Sequence, residues 1–585
     1  MTADQSPSYQ EVTEGSRGHI ALRSFFWIVA LILGACQAWI GRLTIAEDGL
    51  SYIEIGEAYF RGDWKHAING YWSPFYSWVL GFALYVVHPS RLLESTTVHV
   101  VNFLIFLISI FAFDYFLQQL LIYKNEIDTR LRKEKLATLS NRAWIVLGYG
   151  LFLFSSLKLI GVSIESPDIL LSIFLYLAIA MLIRIRMGRA NGITFALLGI
   201  ILGLGYLTKS ALFPLSFVFL IVCYFLIRPP LRTVASIALI LAGFAIVASP
   251  FIVELSLAKG RPTFGDAGAL AYAWYTNGDG NVDAVWHMEF PDDHRPQHPT
   301  KRIFNSPAIY AYSSESPVTY PPYYDPSFWH SGVVPHFDFG GQESVLKRSI
   351  RQYLELFFEG MPFFIFGAIV LYFTGGSLRQ AVMQIGEHWL FLVPAIAAFA
   401  MYGLVRVSSR YVAVFLVLFW IGIFLGVRLP DSKQFRRLMD AVAISIVLML
   451  TIQYSSEAYS MVTTLRYESD PQQSFQWKMA EGLRRAGIQP GDKVAVVGYA
   501  PSAYWARLAN VQIVAEALSE RMEFSSVPDV DKMLSPDGTL KPEIVKAFTE
   551  TGARAIVANK VPANVSRNGW QDLGIAPWFV YPLPR

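Results

Sequence analysis

Residues 25–43 read FFWIVALILGACQAWIGRL, an almost unbroken apolar run. A helix of about 20 such residues crosses the roughly 30 Å of hydrocarbon in a bilayer. Similar runs recur along the chain, at 98–122, 169–185, 233–253 and 412–427. Of the 585 residues, 54% are hydrophobic and 16% are charged, against about 25% charged residues in soluble domains. This composition excludes an ordinary soluble enzyme and indicates a chain with many membrane helices.

Charge and cysteine content exclude two further classes of protein. The net charge of +3 is spread over many loops, without the basic stripe interleaved with aromatic residues that nucleic-acid binding requires, so no nucleic-acid partner is predicted. Both cysteines, Cys36 and Cys223, lie inside apolar runs, which gives no support to a disulfide framework or a cysteine metal site. The first run lacks a small-residue cleavage pattern, so it is predicted to remain as an uncleaved helix.

Lys and Arg residues predict which loops are cytoplasmic, because such loops carry the excess of positive charge. Basic residues concentrate at 124–142, 184–189, 228–232 and 433–437. Arg17 and Arg23 place residues 1–24 inside as a cytoplasmic tail. Three apolar stretches lie between Asp48, where the chain first leaves the membrane on the outer side, and Asp168. The cytoplasmic loops assigned from their basic residues allow only two of these stretches to cross the membrane. We assign 74–87 to lie along or partly in the outer leaflet, because it is short and rich in Tyr and Trp.

This assignment predicts about eleven crossings within a transmembrane module at 25–455. They lie at 25–43, 97–122, 143–160, 168–186, 191–208, 211–227, 233–253, 360–376, 389–405, 411–427 and 438–455. The module contains a first outer loop at 46–96 and a large outer loop at 254–350. The large loop is too long for a plain connector, and we expect it to fold over the membrane surface as a lid or binding loop.

The tail of the chain, 456–585, contains no run that could span a bilayer. Predicted helices at 474–486, 502–508 and 542–551 alternate with short β-branched runs at 493–497, 511–515 and 555–558. Such alternation is typical of an α/β domain with a mostly parallel sheet. Residues 498–501 lack the glycine spacing of a phosphate-binding loop, so no nucleotide site is predicted. Eleven crossings place this domain outside the membrane, as an extracytoplasmic α/β domain.

Acidic residues follow the first helix and precede the fourth. A solvated helix cap is the simpler interpretation of any one of them, but the crossing count puts Asp48 and Asp168 at the same outer face. A carboxylate can accept the proton of a hydroxyl that attacks an anomeric carbon, and Asp48 is predicted to do so. Asp168 could orient the acceptor, share a divalent cation with Asp48 through oxygen ligands, or serve only as a helix N-cap.

Cationic residues at the outer interface could hold a lipid phosphate. Lys209 and Arg410 occupy such positions; Arg binds phosphate through two parallel hydrogen bonds and Lys acts as a point charge. Arg406 is an alternative to Arg410, and snorkelling to the interface would explain each of these residues alone. Lys158 lies inside an apolar stretch and is a secondary candidate. Residues 320–324 read YPPYY; they could contact sugar rings, but packing onto the membrane surface is the favoured interpretation.

A set of short motifs carries a resemblance to a known superfamily. The motifs are Glu47-Asp48-Gly49 with Tyr52, Gly62-Asp63-Trp64, the stretch WSPFY at 72–76, Ser166-Pro167-Asp168, Leu207-Thr208-Lys209 and Arg410-Tyr411. Their order and placement across about 25–430 resemble the GT-C superfamily of membrane glycosyltransferases, particularly the bacterial enzymes similar to Rgt-type, protein mannosyl- and aminoarabinose transferases.

The resemblance implies a polyprenyl-phosphate-sugar donor, an aspartate base in the first outer loop and juxtamembrane helices in that loop. This sequence has Glu-Asp where the superfamily pattern has Asp-Glu, which leaves Glu47 open as an alternative to Asp48. The tail beyond residue 453 is not part of the shared module. Its α/β character suggests acceptor recognition or docking.

The predicted function is transfer of a sugar from a polyprenyl-phosphate donor to an extracytoplasmic lipid, glycan or protein, in a bacterial plasma (inner) membrane, as part of cell-envelope glycosylation. The predicted catalytic residues are Asp48, Asp168 and Glu47, with a metal possible at Asp48 and Asp168. The predicted substrate-binding residues are Lys209, Arg410, Tyr411, Tyr52, Glu165, Trp72 and Lys158.

Two other functions are compatible with a polytopic chain. A transporter or lipid flippase predicts related halves, paired discontinuous helices and charges at mid-membrane. A non-catalytic envelope assembly protein predicts that Asp48 and Asp168 lie far apart.

Overall fold

The computed structural model describes residues 9–227, 229–278, 296–312, 318–467, 470–498, 500–517, 530–536, 539–559 and 568–584. Within these ranges the predicted fold class is confirmed. Helices, most of them apolar, predominate as far as residue 467, and most strands of the main sheet follow in the tail.

Six helices of the described chain are long and apolar enough to cross a membrane, and two sharply bent helix pairs raise the number to as many as eight. The six are Gly18–Gly41, Arg91–Glu134, Asn141–Ile160, Asp168–Arg186, Arg232–Lys259 and Lys433–Ser455. The bent pairs are Phe339–Gly360 with Pro362–Gly375, at 73°, and Leu378–Gly386 with Trp389–Gly403, at 89°. Shorter apolar helices are Pro74–Val87, Gly192–Thr208, Leu212–Leu226 and Ser409–Leu425.

Each of the eleven predicted crossings coincides with one of these apolar helices. Three of them, Gly192–Thr208, Leu212–Leu226 and Ser409–Leu425, have 17, 15 and 17 residues, which gives lengths of only about 22–26 Å at about 1.5 Å per residue. The number of crossings therefore stays a prediction. The first helix begins earlier than predicted, because its backbone is helical from Tyr9 to Gly41.

Local capping explains where two of the membrane helices begin. The Ser140 hydroxyl accepts a hydrogen bond of 3.0 Å from the Ala143 N–H. Asn191 and Thr194 bond each other's backbone N–H groups in a capping box. Such caps satisfy N–H groups that have no partner within the helix. The helices before and after each of these caps pack against each other, Arg91–Leu131 with Asn141–Leu153 and Asp168–Arg186 with Gly192–Thr208.

The remaining helices connect the apolar ones or belong to the loops and the tail. Π-helical turns at Phe154–Ile160, Ala273–Asn277 and Glu355–Gly360 continue the helices before them. The other helices are Ala267–Tyr272, Pro321–Tyr324, Pro326–Trp329, Phe475–Arg485, Tyr504–Ala509, Val530–Met533 and Pro542–Glu550. A two-stranded pairing of Leu136–Ala137 with Leu429–Pro430 joins two loops on the predicted cytoplasmic side.

The first outer loop folds as three helices, Glu47–Phe60, Trp64–Ala67 and Pro74–Val87. The first and third cross with their backbones in contact. A Cβ atom added at Gly81 would lie 2.6 Å from the Gly56 carbonyl oxygen, and one added at Gly56 would lie 2.5 Å from the Ser77 carbonyl oxygen. Only glycine permits this approach, so the two helices form one unit beside the membrane helices.

A seven-stranded sheet takes five of its strands from the tail. Its strands lie in the order Lys301–Asn305, Ala308–Ala311, Gln512–Ala517, Lys493–Val497, Ala555–Asn559, Trp578–Pro582 and Gln571–Asp572. The three central strands are parallel and match the three predicted strands. The four outer strands are antiparallel.

Two strands of this sheet come from the large outer loop at 254–350. Ala308–Ala311 pairs with Gln512–Ala517, with Tyr310 opposite Glu516. The sheet is therefore not built from 456–585 alone, and the loop and the tail fold as one layer. Strand pairing over about 200 residues has no local sequence pattern, because it depends on the tertiary fold.

We expect Gly81→Ala to lower the free energy of unfolding by about 1–3 kcal/mol, because overpacking against backbone cannot relax by side-chain movement. Thermal unfolding in detergent micelles measures the effect. Gly386→Ala is the matched control, since a Cβ there meets nothing within 4 Å. Equal melting temperatures for the two variants would contradict the close crossing of the loop helices.

Candidate active site

A cavity of about 580 Å³ lies beside the helix Glu47–Phe60, which we call the Asp48 helix. Seven of the ten predicted site residues line it: Asp48, Tyr52, Trp72, Asp168, Lys209, Arg410 and Tyr411. They come from separate parts of the chain, so their convergence is a property of the tertiary fold. The cavity is therefore the candidate active site.

Asp48 lies in the first turn of its helix and receives two hydrogen bonds from distant elements. The Arg410 Nη2 atom donates to Asp48 Oδ2 at 2.7 Å, and the Tyr323 hydroxyl donates to Asp48 Oδ1 at 2.6 Å. Arg410 is in the first turn of the helix Ser409–Leu425. Both carboxylate oxygens of Asp48 thus face groups that favour its charged form.

Asp168 lies on the same cavity and shares Arg410 with Asp48. Its Oδ1 atom accepts from Lys209 Nζ at 2.6 Å, and its Oδ2 atom is 3.9 Å from Arg410 Nε. Among the described residues, this buried Oδ2 has no hydrogen-bond partner. The N-cap interpretation of Asp168 is wrong, because Pro167 occupies that position and makes no side-chain cap bond. One guanidinium therefore lies between two carboxylates.

The two neighbouring acids Glu47 and Asp48 have opposite electrostatic environments. Burial raises the pKa of Asp48. The charge of Arg410 and the hydrogen bonds from Tyr323 and Arg410 lower it by more than burial raises it, so the pKa lies below its ordinary value. Burial and the carboxylates of Asp48 and Glu165 raise the pKa of Glu47. Asp48 is thus ionised at neutral pH and faces the cavity, whereas Glu47 is outside the lining defined by the described residues.

Cationic side chains make the cavity favourable for an anion. Lys209 Nζ lies 3.7 Å from the centre of the Tyr411 ring, and Arg406 donates a hydrogen bond to the Tyr275 hydroxyl. Within the described chain, the charged lining residues are four cations (Lys209, Arg261, Arg406 and Arg410) and three acids (Asp48, Asp168 and Asp266). One positive charge is left over, and the aromatic rings stabilise the cations further.

The sequence did not predict Arg261 and Asp266 of the cavity lining. Tyr323 is a further site residue that the sequence did not predict. It belongs to the YPPYY stretch that was expected to pack on the membrane surface, yet its hydroxyl contacts Asp48. Its carbonyl oxygen accepts from Trp72 Nε1 at 3.0 Å, and Trp72 packs edge-on against Tyr52 with ring centres 5.0 Å apart. The aromatic and proline-rich composition of this segment was the available signal, but it did not indicate which residue the segment would contact.

Three predicted site residues lie away from the cavity. The Glu165 carboxylate accepts from the Ala46 N–H at 2.9 Å and pairs with His99 Nε2 at 2.9 Å. Glu165 therefore holds the start of the Asp48 helix, and the geometry does not support substrate contact. Lys158 lies on the π-helical turn Phe154–Ile160, and neither it nor Glu47 is among the lining residues of the described chain.

The donor set does not fit a divalent cation at Asp48 and Asp168. Both carboxylates are already neutralised by Arg410 and Lys209, so a metal ion would have to enter beside two positive charges. In the described ranges, no group of three or more His, Cys, Asp or Glu side chains could hold a metal ion. We therefore derive no chemical step through a metal.

Comparison with known proteins gives matches in structure alone. No family model matches the chain, and no curated protein sequence matches it. The structure is similar to that of ArnT from Cupriavidus metallidurans bound to undecaprenyl phosphate, with 12% identity, 95% of this chain and 97% of that chain covered, and a TM-score of 0.38. It is also similar to the archaeal oligosaccharyltransferase AglB from Archaeoglobus fulgidus in complex with an inhibitory peptide and a dolichol-phosphate, with 11% identity, 93% and 70% covered, and a TM-score of 0.45.

Both structures belong to the kind of protein that the sequence resembles, the GT-C glycosyltransferases. Identities of 11% and 12% and TM-scores of 0.45 and 0.38 are too low for either activity to be transferred to this chain.

We expect Tyr323→Phe to lower stability in a pH-dependent way. A group with a lowered folded pKa contributes stability above its unfolded pKa, about 4 for Asp, and loses it as the pH falls through the folded pKa. Loss of the Tyr323 hydroxyl raises the pKa of Asp48. The variant should therefore be about 1–3 kcal/mol less stable near neutral pH, with a smaller difference below about pH 4.

Unfolding in detergent micelles from about pH 3 to about pH 8 measures this dependence. Tyr324→Phe is the matched control, because the Tyr324 hydroxyl donates to the neutral His66 carbonyl oxygen at 2.7 Å. Its loss should cost the same stability at every pH. A pH-independent effect of Tyr323→Phe would show that its hydroxyl does not act on the Asp48 charge.

Proposed function

We propose that this protein transfers a sugar from a polyprenyl-phosphate donor to a hydroxyl of an extracytoplasmic acceptor, with Asp48 as the general base. The observation that carries the proposal is that a carboxylate and cations of the kind that bind phosphate share one cavity, where Arg410 contacts Asp48 at 2.7 Å and Asp168 at 3.9 Å. A base and an anion site side by side are what glycosyl transfer from a lipid phosphate requires.

The charge of the cavity fits the proposed donor. A sugar joined to a polyprenyl monophosphate is a phosphodiester with one negative charge, and the lining has one positive charge in excess. The leaving polyprenyl phosphate gains a second negative charge, which Lys209 and Arg410 would stabilise as it develops. Groups that bind the leaving phosphate more strongly than the donor lower the barrier.

The reaction is a single displacement. The acceptor oxygen forms a bond to the anomeric carbon while the bond from that carbon to the phosphate oxygen breaks, and the electron pair goes to the phosphate. The acceptor proton goes to Asp48. Attack from the side opposite the phosphate inverts the anomeric centre. Asp168 orients a sugar or acceptor hydroxyl through its Oδ2 atom, which accepts no hydrogen bond within the described chain.

Arg410 links donor binding to the strength of the base. In the absence of donor its charge holds the pKa of Asp48 below the ordinary value. A bound phosphate draws the guanidinium toward itself, and the pKa of Asp48 then rises. Asp48 therefore becomes a stronger base when the donor is in place.

The location of the site favours transfer over transport. The site charges lie at ends of membrane helices: Asp168 begins Asp168–Arg186, Lys209 follows Gly192–Thr208, and Arg410 is in the first turn of Ser409–Leu425. A transporter or flippase would need charges at mid-membrane. A non-catalytic role predicts separated carboxylates, whereas Asp48 and Asp168 lie within reach of one guanidinium. The positive-inside rule puts this face, with the tail domain, outside a bacterial plasma membrane.

We expect Asp48→Asn to abolish transfer while the protein still inserts into the membrane. The amide cannot accept the acceptor proton, and the loss of general-base catalysis costs about 100- to 10,000-fold. The assay follows radiolabelled sugar from a panel of polyprenyl-phosphate sugars into the envelope fraction of membranes that contain the full chain.

Asp63→Asn serves as the control for the Asp48 experiment. Asp63 belongs to the same outer loop but bonds His66 Nδ1 at 2.8 Å, away from the cavity. It should retain transfer. Normal turnover in Asp48→Asn would rule out Asp48 as the base.

We expect Lys209→Met to weaken binding of polyprenyl phosphate by about 10- to 150-fold, since a hydrogen bond to a charged group contributes about 1.5–3 kcal/mol. Equilibrium binding of a fluorescent polyprenyl phosphate to purified protein measures it. Lys259→Met is the control, because Lys259 Nζ donates to Ser327 Oγ at 2.7 Å outside the lining of the described chain. Unchanged affinity in Lys209→Met would exclude Lys209 from the phosphate site.

A further inference from the structure

A buried arginine of the tail domain is inserted among three carboxylates of the first outer loop and the helix after it. Arg507 lies on the helix Tyr504–Ala509, and its side chain is 4% exposed. Its Nε and Nη2 atoms donate to the two oxygens of Glu94 at 2.7 and 2.9 Å. Nη2 also donates to Glu57 at 2.7 Å, and Nη1 lies 3.6 Å from Glu54.

Two of these carboxylates belong to the helix that carries Asp48. Glu54 and Glu57 lie six and nine residues after Asp48, about 9 and 14 Å further along the helix axis. The charge of Arg507 offsets part of the effect of burial on the pKa of Glu54, and it lowers the pKa of Glu57 below its ordinary value. A buried charge is stable only when paired, so Arg507 fixes the second half of the Asp48 helix to the tail domain.

A second connection reaches the same helix through residues 318–324. On one side of this segment, the Ile513 N–H of the tail sheet donates to the Thr319 carbonyl oxygen at 2.9 Å, and the Tyr320 hydroxyl donates to Glu516 at 2.6 Å. On the other side, the Thr319 N–H donates to Glu54 at 3.0 Å. The segment is thus held between the tail sheet and the Asp48 helix.

The same segment ends on the proposed base. The Ser51 hydroxyl donates to the Tyr323 carbonyl oxygen at 3.1 Å, and the Tyr323 hydroxyl donates to Asp48 at 2.6 Å. The tail domain is therefore connected to Asp48 both through the helix, by Arg507, and through the Tyr323 hydroxyl. A shift of the domain would change both the direction of the helix and the hydrogen bonding of its carboxylate.

We propose that the tail α/β domain is part of the catalytic machinery, with Arg507 as a positioning residue that holds the Asp48 helix in register with Arg410 and Tyr323. This proposal rests on the role of Asp48 proposed above. Arg507 is not one of the lining residues of the cavity in the described chain. It acts by anchoring the helix from which Asp48 projects.

The first measurement is independent of activity. Ser51→Cys, introduced in a chain with Cys36→Ala and Cys223→Ala, places a thiol where the helix meets the 318–324 segment, at a position only 2% exposed. We expect this thiol to react with a water-soluble maleimide at least about ten-fold faster in Arg507→Ala, because loss of the anchor opens the contact locally. Arg485→Ala is the matched control: its Nη2 atom donates to the Leu573 carbonyl oxygen at 2.9 Å inside the tail domain.

The second measurement is transfer itself, per folded protein as determined by size-exclusion chromatography. We expect kcat to fall about 100-fold in Arg507→Ala, as a misplaced catalytic group implies, with little change in KM for the donor. We also expect the acid limb of the pH profile of kcat/KM, which reports the enzyme without donor, to move to higher pH, since Asp48 loses the Tyr323 and Arg410 contacts that lower its pKa. A loss of folded protein alone would lower the measured rate by the same factor at every pH and would leave the pH of the acid limb unchanged.

The groups that set this acid limb come from several elements around Asp48: Glu47, Tyr52, Asp168, Lys209, Tyr323 and Arg410. None of them is altered in Arg507→Ala, so a shifted limb reports a changed position of Asp48. Arg507→Lys should have a higher kcat than Arg507→Ala, because the lysine returns one positive charge to the cluster. The recovery should be partial, because lysine cannot form the two parallel hydrogen bonds that Arg507 makes with Glu94.

If Arg507→Ala does not fold, Arg507→Met with Glu57→Gln and Glu94→Gln removes the anchor together with two of the carboxylate charges that it offsets. A folded variant of either kind with an unreactive Ser51→Cys thiol and wild-type kcat would overturn the inference. The proposed function is tested separately, because sugar transfer by Asp48→Asn would contradict it. In that case the thiol measurement would still show whether the tail domain holds the Asp48 helix.

Discussion

The Arg410 guanidinium is the contact on which the site depends. It lies between Asp48, 362 residues earlier in the chain, and Asp168, and Lys209 completes the group from a third membrane helix. Buried charges of this kind are stable only as a set, because the attraction and hydrogen bonds between them offset the hydration that each one loses on burial. The ends of three helices and the first outer loop are therefore held together by the same side chains that the proposed chemistry uses.

The Asp48 helix is fixed at both ends for the same reason. Glu165, itself paired with His99, accepts the Ala46 N–H at the start of the helix, and Arg507 binds its later turns. The backbone contact at Gly56 and Gly81 fixes its side against the next loop helix. A general base gains from such constraint, since its reach to a hydroxyl is limited to hydrogen-bond distance.

Sequence reasoning could predict the features that leave a local pattern. Apolar runs predict helices because a membrane demands them, and all eleven predicted crossings are apolar helices in the structure. Asp48, Asp168, Lys209 and Arg410 were found because each lies at the end of a helix that charge placement puts at one face. The three central tail strands followed from their short β-branched runs.

The remaining features depend on contacts between distant residues. Tyr323 reaches Asp48 only because the 318–324 segment is clamped by the tail sheet. Glu165 has the appearance of a site acid in the sequence, and only its contacts with the Ala46 N–H and with His99 reveal that it holds the start of a helix. The strand Ala308–Ala311 lacks a signal for the same reason, since it joins the tail sheet through a partner strand about 200 residues later, and Lys301–Asn305 enters the sheet only by pairing with Ala308–Ala311.

The sheet formed jointly by the large outer loop and the tail determines when the site can be completed during synthesis. Residues 308–311 leave the ribosome about 200 residues before the strand Gln512–Ala517 with which they pair, an interval of about 10–40 s at about 5–20 residues per second. During that interval the loop segment that carries Tyr323 has no sheet to hold it against Asp48. The membrane helices and their charges can assemble first, but the site is complete only after the tail domain has been synthesised. A chain that lacks this domain, or has not yet reached it during synthesis, would carry an open, unfinished centre.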